Sequence, residues 1–258
     1  MLTDVILLSK RVKTIPTEYP LYDSLEGRNP QNALVLTDET ALLEECRKKG
    51  YAVLYVGEEE TDLEYVLLDF EGVSDRFLRL AYARSKKLPM EIARTTHLLI
   101  REMTIEDLPE LYEIYDDDQI RRYVEDLYEY EEEKKYTLES VFPMYHFYGY
   151  GPWLAIDLES GKLAGRVALG HREIQGRTQV ELGYLLGKNY RHRGLAHEMT
   201  QAAITYFFTE HPDRDLYLLA DPENIQSIRL AQKLGFVSQG PFEDQKLILF
   251  RKENPGTF

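Results

Sequence analysis

The sequence predicts an α+β protein with a mixed, largely antiparallel sheet flanked by helices, preceded by a small α/β domain. Three observations carry that expectation. Residues 33–87 alternate between β-rich runs and helical spacing. Residues 97–251 read as β, α, α, three strands joined by tight turns, then α, β, α, β. Pro89 follows the last helix of the first pattern, and the second pattern starts near residue 97. A boundary at 90–96 divides the chain into domains 1–95 and 96–258.

The opening run MLTDVILLSKRVK is apolar over too short a span for a signal peptide and has no small-residue cleavage site. Residues 11–32, rich in Pro, Tyr and polar residues, read as a loop. ALVL (33–36) is a short apolar strand. TDETALLEECRKKG follows, with Leu42, Leu43 and Cys46 on one helical face and Gly50 placed to end the helix. YAVLYVG (51–57) and EYVLLDF (64–70) are further strands. In SDRFLRLAYARSKK (74–87), Phe77, Leu78, Ala81 and Tyr82 fall at helical spacing, with Ser74 available as the cap. Asp38 and Asp69 stand near strand ends, where ligands bind in open α/β sheets; both residues also suit turns.

In the second domain HLLIREMT (97–104) is strand-like. Leu108, Leu111, Tyr112 and Tyr115 then mark a helix, and the charged stretch 125–140 permits another. WLAIDLESGKLAGRVALGHREIQGRTQVELGYLLG reads as an antiparallel meander turning at Ser160-Gly161 and Gly176-Arg177. A helix over 194–209 places Leu195, Met199, Ala202, Ala203 and Tyr206 on one face. DLYLLA (215–220) is a strand, Asn224 starts a helix that Gly235 ends, and QKLILFR (245–251) closes the fold. Trp153, Tyr145, Phe147, Tyr148 and Tyr150 form an aromatic entry to the meander, suited to core packing or to lining an acceptor pocket.

Charge narrows the partners. The net charge is −14, and residues 101–140 alone carry 15 acidic against 5 basic side chains. Free nucleic acid does not fit that surface, whereas a cationic substrate is attracted to it; a solvated helix face is the plainer account of the same run. No stretch is apolar for long enough to span a bilayer. The single Cys46 excludes an intramolecular disulfide and points to the cytoplasm. The His residues form no metal-binding pattern: His192 and His197 are five apart, and no HExxH is present.

The segment ELGYLLGKNYRHRGLAHEMT (181–200) carries the chemistry. It runs from a strand into a helix through Arg191, His192, Arg193, Gly194, Leu195 and Ala196. A helix N-terminus has unpaired N–H groups and a positive dipole end, so it takes phosphate where nothing bulky blocks the approach. Gly194 and Ala196 remove that bulk, and Arg191 and Arg193 add charge. The turn is not a Walker loop, having no Gly-Lys-Ser/Thr, nor a dinucleotide fingerprint, which needs three spaced glycines.

Three motifs in this order resemble the GNAT superfamily of acyl-CoA-dependent N-acyltransferases. Arg191-His192-Arg193-Gly194-Leu195-Ala196 is similar to its (Arg/Gln)-x-x-Gly-x-(Gly/Ala) turn. Glu181-Leu182-Gly183-Tyr184 is similar to the strand before it, and Asn224-Ile225-Gln226-Ser227 with Lys233-Leu234-Gly235-Phe236 to its second motif. IYDDDQIRRYV resembles the first helices of the branch that acetylates ribosomal-protein N-termini. The resemblance covers about residues 97–252 and implies a GNAT-like fold that uses acetyl-CoA as cosubstrate, with no metal.

It further implies that the diphosphate of coenzyme A sits on the backbone from Arg191 to Ala196. The pantetheine arm would lie along the end of the fourth strand near Leu185 and Leu186, with Asn224 within reach. Alternation along the strand puts Glu181, Gly183 and Leu185 on one face, so a chain can lie beside the low middle at Gly183. Glu181 is the candidate general base and equally an ordinary strand glutamate; Ser227 is a candidate cofactor contact or a local backbone partner. Many family members carry a Tyr that protonates the leaving sulfur, and here that position is Ala231.

The expected acceptor is a primary amine on a cationic small molecule or a protein N-terminus, with no nucleic acid and no membrane; a homodimer is compatible with the family. The alternative is a non-catalytic acyl-CoA-binding sensor. Residues 33–57 bear a weak resemblance to the later half of a haloacid-dehalogenase-type phosphatase, whose Asp-x-Asp nucleophile motif is absent.

Overall fold

The computed structural model describes residues 1–63, 65–71, 73–244 and 246–254. The chain forms two compact units, Met1–Met90 and Glu91–Phe258.

The first unit is a parallel sheet of five strands, β1 (Asp4–Leu8), β2 (Leu21–Tyr22), β3 (Ala33–Thr37), β4 (Ala52–Val56) and β5 (Val66–Leu67). Their order is β2-β1-β3-β4-β5. Every residue of β3 and β4 is buried, as expected of parallel strands covered on both faces. Helix α2 (Asp75–Ser85) packs Leu78, Ala81 and Tyr82 onto Val5, Leu34, Leu36 and Leu54. Helix α1 (Thr40–Lys48) packs Leu43 and Cys46 against Ile6, Val35 and Val53 on the opposite side. Ser74 caps α2 by accepting from the Phe77 N–H at 3.2 Å. Cys46 is fully buried, and burial raises its thiol pKa.

Two strands of this unit were not expected from the sequence. The opening apolar run forms β1, and β2 lies inside the stretch read as a loop. Of the expected strands 64–70 and 245–251, the first residues, Glu64 and Gln245, lie outside the described residues.

The second unit is an eight-stranded sheet of order β12-β13-β11-β10-β9-β8-β7-β6. Its strands are β6 (Glu91–Arg94), β7 (Leu98–Glu102), β8 (Pro152–Asp157), β9 (Leu163–Ile174), β10 (Arg177–Leu186), β11 (Leu216–Ala220), β12 (Val237–Phe242) and β13 (Leu247–Lys252). All neighbours are antiparallel except β10 and β11. The expected meander is β8-β9-β10. Gln175 and Gly176 both have positive φ, so its second turn is a two-residue I′ type centred on Gln175-Gly176, one residue earlier than the sequence suggested.

Between β7 and β8 come α3 (Leu108–Tyr115), α4 (Asp118–Arg121), α5 (Tyr130–Tyr136) and α6 (Phe142–Tyr148), the last two joined by a π-helical turn at Thr137–Val141. Helix α7 (Leu195–Glu210) links β10 to β11, and α8 (Ile225–Lys233) follows β11. The α7 core face is Leu195, Met199, Thr200, Ala203, Ile204 and Phe207. The expected Ala202 and Tyr206 lie at its margin, where the Tyr206 ring meets Trp153 edge-on at 4.9 Å and its hydroxyl donates to the Gly149 carbonyl. Of the aromatic entry, Tyr145, Tyr150 and Trp153 are buried, whereas Phe147 is 82% exposed.

The 3₁₀ turn Ile105–Asp107 that leads into α3 is held by a capping box between Thr104 and Asp107. The Asp107 carboxylate accepts from the Thr104 N–H at 2.7 Å and takes both arms of Arg101 at 2.6 and 2.8 Å. Burial alone would raise the Asp107 pKa; the Arg101 and Thr104 donors outweigh it and hold the carboxyl below the usual range. Asp107→Ala strands a half-buried guanidinium and should cost about 3 kcal/mol in denaturant unfolding. Because the folded pKa is depressed, this contribution is present above the unfolded aspartate value, about 3.9, and lost as pH falls through the folded value. The difference in stability between parent and variant should therefore shrink in acid.

Candidate active site

The site is organised by β10. It pairs with β9 along its whole length, but with β11 only at Val180–Leu216 and Glu181–Tyr217. Beyond Glu181 the two parallel strands part, and among the described residues the β10 backbone from Leu182 to Leu186 has no strand on its β11 side. Leu186 lies five positions beyond Glu181, about 17 Å of extended chain. The Leu186 carbonyl accepts from Arg191 Nε at 3.2 Å. Leu185 lies tight against β9: a Cβ built on Gly165 would stand 2.4 Å from the Leu185 carbonyl oxygen.

At the far end of this gap a 3₁₀ turn, Lys188–Tyr190, leads into the Arg/Gly segment. His192 and Gly194 both adopt positive φ, 62° and 80°, which lifts the chain before α7 starts. Gly194 is the N-cap, with no side chain to satisfy the first-turn N–H groups, and a Cβ there would meet nothing within 4 Å. The helix start is therefore an open, uncapped cradle for an anion. Leu195 is buried and pins the turn to the core. Glu198 ties α7 to the start of β7 by accepting from the His97 N–H at 2.8 Å.

The two arginines do different work. Arg193 is exposed beside the Tyr190 ring, with its guanidinium 6.0 Å from the ring centre. Arg191 turns inward: one arm reaches Gln119 Oε1 at 2.6 Å, the other Asp117 Oδ2 at 2.7 Å, and its Nε holds Leu186. It thus ties α4 to the turn and to the end of β10. Sequence spacing gave no sign of this, because the partners lie more than 70 residues away.

Glu181 stands at the other end of the gap, on the sheet face it shares with Gly183 and Leu185. Its side chain is 25% exposed. Burial raises its pKa; Arg172, whose Nη1 lies 3.9 Å away, works against that, and the charges of Glu243 and Glu125 add to it. Arg172 also hydrogen-bonds Glu243 in the β12–β13 turn, where Glu243 and Asp244 both have positive φ. Tyr217, Leu219, Leu249 and Phe242 form an apolar patch with Ile174 on this side of the sheet. Arg172, Glu125 and Glu243 were not singled out in the sequence; the alternation that puts Arg172 and Glu181 on one face was the available signal.

Asn224 Oδ1 accepts from the Ser227 N–H at 3.1 Å, so the residue caps α8. Ser227 is buried, with its hydroxyl beside that of Tyr184. Burial raises the Tyr184 pKa and the Ser227 hydroxyl works the other way. Ala231 is wholly buried in the core. The structure thus brings Glu181, Leu185, Leu186 and the 191–196 turn onto one strand and its exit. Asn224 and Ser227 stand at the start of the helix after β11.

The gap depends on close packing behind it. Gly165→Ala puts a methyl group against backbone that cannot swing aside, and should cost about 1–3 kcal/mol in denaturant unfolding. Amide exchange should speed up first along β9 and the end of β10.

Comparison with known proteins agrees with this geometry. The family model described as Acetyltransferase (GNAT) domain matches residues 97–237. The Bacillus subtilis protein YkkB is 33% identical over 88 residues, 34% of this chain and 51% of its own length, so the match spans about half of that relative. YnaD of the same organism, an N-acetyltransferase by name, is 27% identical over 156 residues, 58% of this chain and 84% of its own. The crystal structure of an acetyltransferase from Agrobacterium tumefaciens shares the fold, with a TM-score of 0.53 at 22% identity over 62% of this chain and 93% of that one. The parted strands, the uncapped glycine turn and a family match over more than half the chain lead to one conclusion: the protein belongs to the GNAT acetyltransferase family of acyl-transferring enzymes.

Proposed function

We propose that the protein transfers the acetyl group of acetyl-CoA to a primary amine by direct attack in a ternary complex. The observation that carries this reading is the parting of β10 from β11 just past Glu181, with the open Gly194 turn at the other end of the gap. The N–H groups of Arg193 to Ala196 would hold the diphosphate, with His192 and the Arg193 side chain at its rim. The β10 edge that β11 leaves open toward Leu185 and Leu186 would carry the pantetheine arm, beside the Leu186 carbonyl that Arg191 holds, and the Asn224 amide nitrogen, which the cap does not use, would reach it. Arg191 acts from behind, keeping the turn and the strand end in register. Bound there, acetyl-CoA supplies the acetyl thioester.

Glu181 takes the proton from the incoming ammonium, directly or through a water. Its raised pKa suits that task better than that of a free glutamate. Glu125 and Glu243 make its surroundings acidic, which favours an acceptor whose amine is positively charged, a protein N-terminus or a small cationic amine. The buried Ala231 has no proton to give, so the sulfur leaves as thiolate, a leaving group stable enough to go without a dedicated acid, and takes up the second proton, which the attacking nitrogen sheds as the amide forms.

The absent proton donor also favours a second reading, an acyl-CoA sensor without turnover. The two separate on the same samples. Calorimetric titration should show acetyl-CoA binding to the parent and not to Gly194→Glu, which fills the cradle and repels the diphosphate. Equal binding by both, or by neither, would overturn the assignment of the turn. With a panel of primary amines, Glu181→Gln should lose roughly hundredfold to ten-thousandfold in kcat while binding acetyl-CoA normally. Binding without turnover of any amine by the parent would favour the sensor.

The pH profile tests the base separately. Protonated Glu181 cannot accept a proton, so kcat/KM should fall as pH drops through a value above the usual glutamate range, about 4.3. Arg172→Gln removes the charge that lowers this pKa and should move the acid limb up. Glu243→Gln should move it down.

A further inference from the structure

We propose that the first unit holds a binding site for a small phosphate ester with a free hydroxyl, of the sugar-phosphate kind, in the crevice between the carboxyl ends of β1 and β3. Strand β1 lies between β2 and β3. The chain leaves β1 toward β2 on one side and leaves β3 through α1 toward β4 on the other. Where connections diverge in this way, an open parallel sheet has a crevice at its strand ends. Leu8 and Thr37 pair in register, so the next residues, Ser9 and Asp38, face each other there. The Ser9 hydroxyl donates to Asp38 Oδ2 at 2.7 Å and accepts from the Arg11 and Val12 N–H groups at 3.0 and 3.1 Å.

Asp38 is the informative residue. Its side chain is 4% exposed, and its Oδ1 is shut off from water with no hydrogen-bond partner among the described residues. A buried carboxylate oxygen without a donor is costly, and a simple turn does not require one. Asp69, at the end of β5, shows the ordinary alternative: it is exposed and spends Oδ1 on the Glu71 N–H at 2.8 Å. Arg11 covers the Asp38 carboxylate, with Nε 3.8 Å from Oδ2 and a side chain 78% exposed, so it can swing aside at little cost.

The rest of the crevice divides by charge. Lys10, Arg11 and Lys13 lie on the β1 side. The N-terminus of α1 opens at the same edge, with no side-chain cap at Glu39 and no acid in its first turn. Lys10 forms an exposed pair with Glu39, a weak tie that an anion can replace. Asp38, Glu39 and Glu59 lie on the other side, where Glu59 holds the Thr40 hydroxyl at 3.2 Å. A phosphate on the basic side with a hydroxyl donating to Asp38 Oδ1 satisfies both halves. Inorganic phosphate satisfies one half, and a neutral sugar the other.

The test is calorimetric titration of the full chain in the Gly194→Glu background, which keeps phosphate off the α7 turn, with ribose 5-phosphate, inorganic phosphate and ribose as probes. Ribose 5-phosphate should bind, and bind more tightly than either part. Asp38→Asn should weaken it about tenfold or more, the scale of a lost hydrogen bond to a charged group. Arg11→Gln, on an exposed side chain that cannot unfold the unit, should weaken it several-fold and flatten its salt dependence. The proposal is overturned if ribose 5-phosphate gives no heat, if inorganic phosphate binds as tightly, or if the parent affinity survives both substitutions in variants that melt like the parent.

Discussion

Two residue pairs join β10 to β11, and much of the second unit follows from there being no more. A parallel pair needs a crossover, and α7 supplies it in 16 residues. Parallel strands that separate after two pairs leave a wedge that side chains of the sheet cannot fill alone. The core beneath is closed by α7 and α8, through Leu195, Met199, Phe207 and Ala231. The same separation aims the start of α7 at the open strand edge. An uncapped helix end and an unpaired strand edge would each be a defect elsewhere; here they adjoin, and one extended anionic ligand can satisfy both.

The arginine turn is better understood as a mechanical joint than as a charge cluster. Arg191 spends its donors on Asp117, Gln119 and the Leu186 carbonyl. The turn, α4 and the strand end are therefore tied together through one side chain. Charge toward solvent is left to Arg193 and to the backbone. A similar division holds near Glu181, where Arg172 serves two glutamates unequally: it hydrogen-bonds Glu243 and stands 3.9 Å from Glu181.

What the sequence revealed follows what is local. β3 and β4, the meander and α7 carry continuous or periodic apolar residues, because both faces or one full stripe are buried. The glycine turn, the strand before it and the Asn224 cap are short-range chemistry and were legible as such. β6 and β12 were not, since neither edge strand has a fully buried residue to mark it. β2 is two residues long and exists only through pairing with β1. The Arg191–Asp117 tie, the Arg172–Glu243 bridge and the Ser9–Asp38 contact are products of chain topology, joining residues that no local window contains together.

Cys46 has a practical consequence. It is the chain's one thiol, on the buried face of α1 with its ionisation suppressed by burial. A folded sample therefore contributes almost nothing to a colorimetric thiol reagent. Any free sulfhydryl liberated during turnover would be read against a flat baseline, even at high protein concentration. Conversely, a slow rise of colour in the absence of cosubstrate would report opening of the N-terminal unit, giving a built-in probe of its integrity.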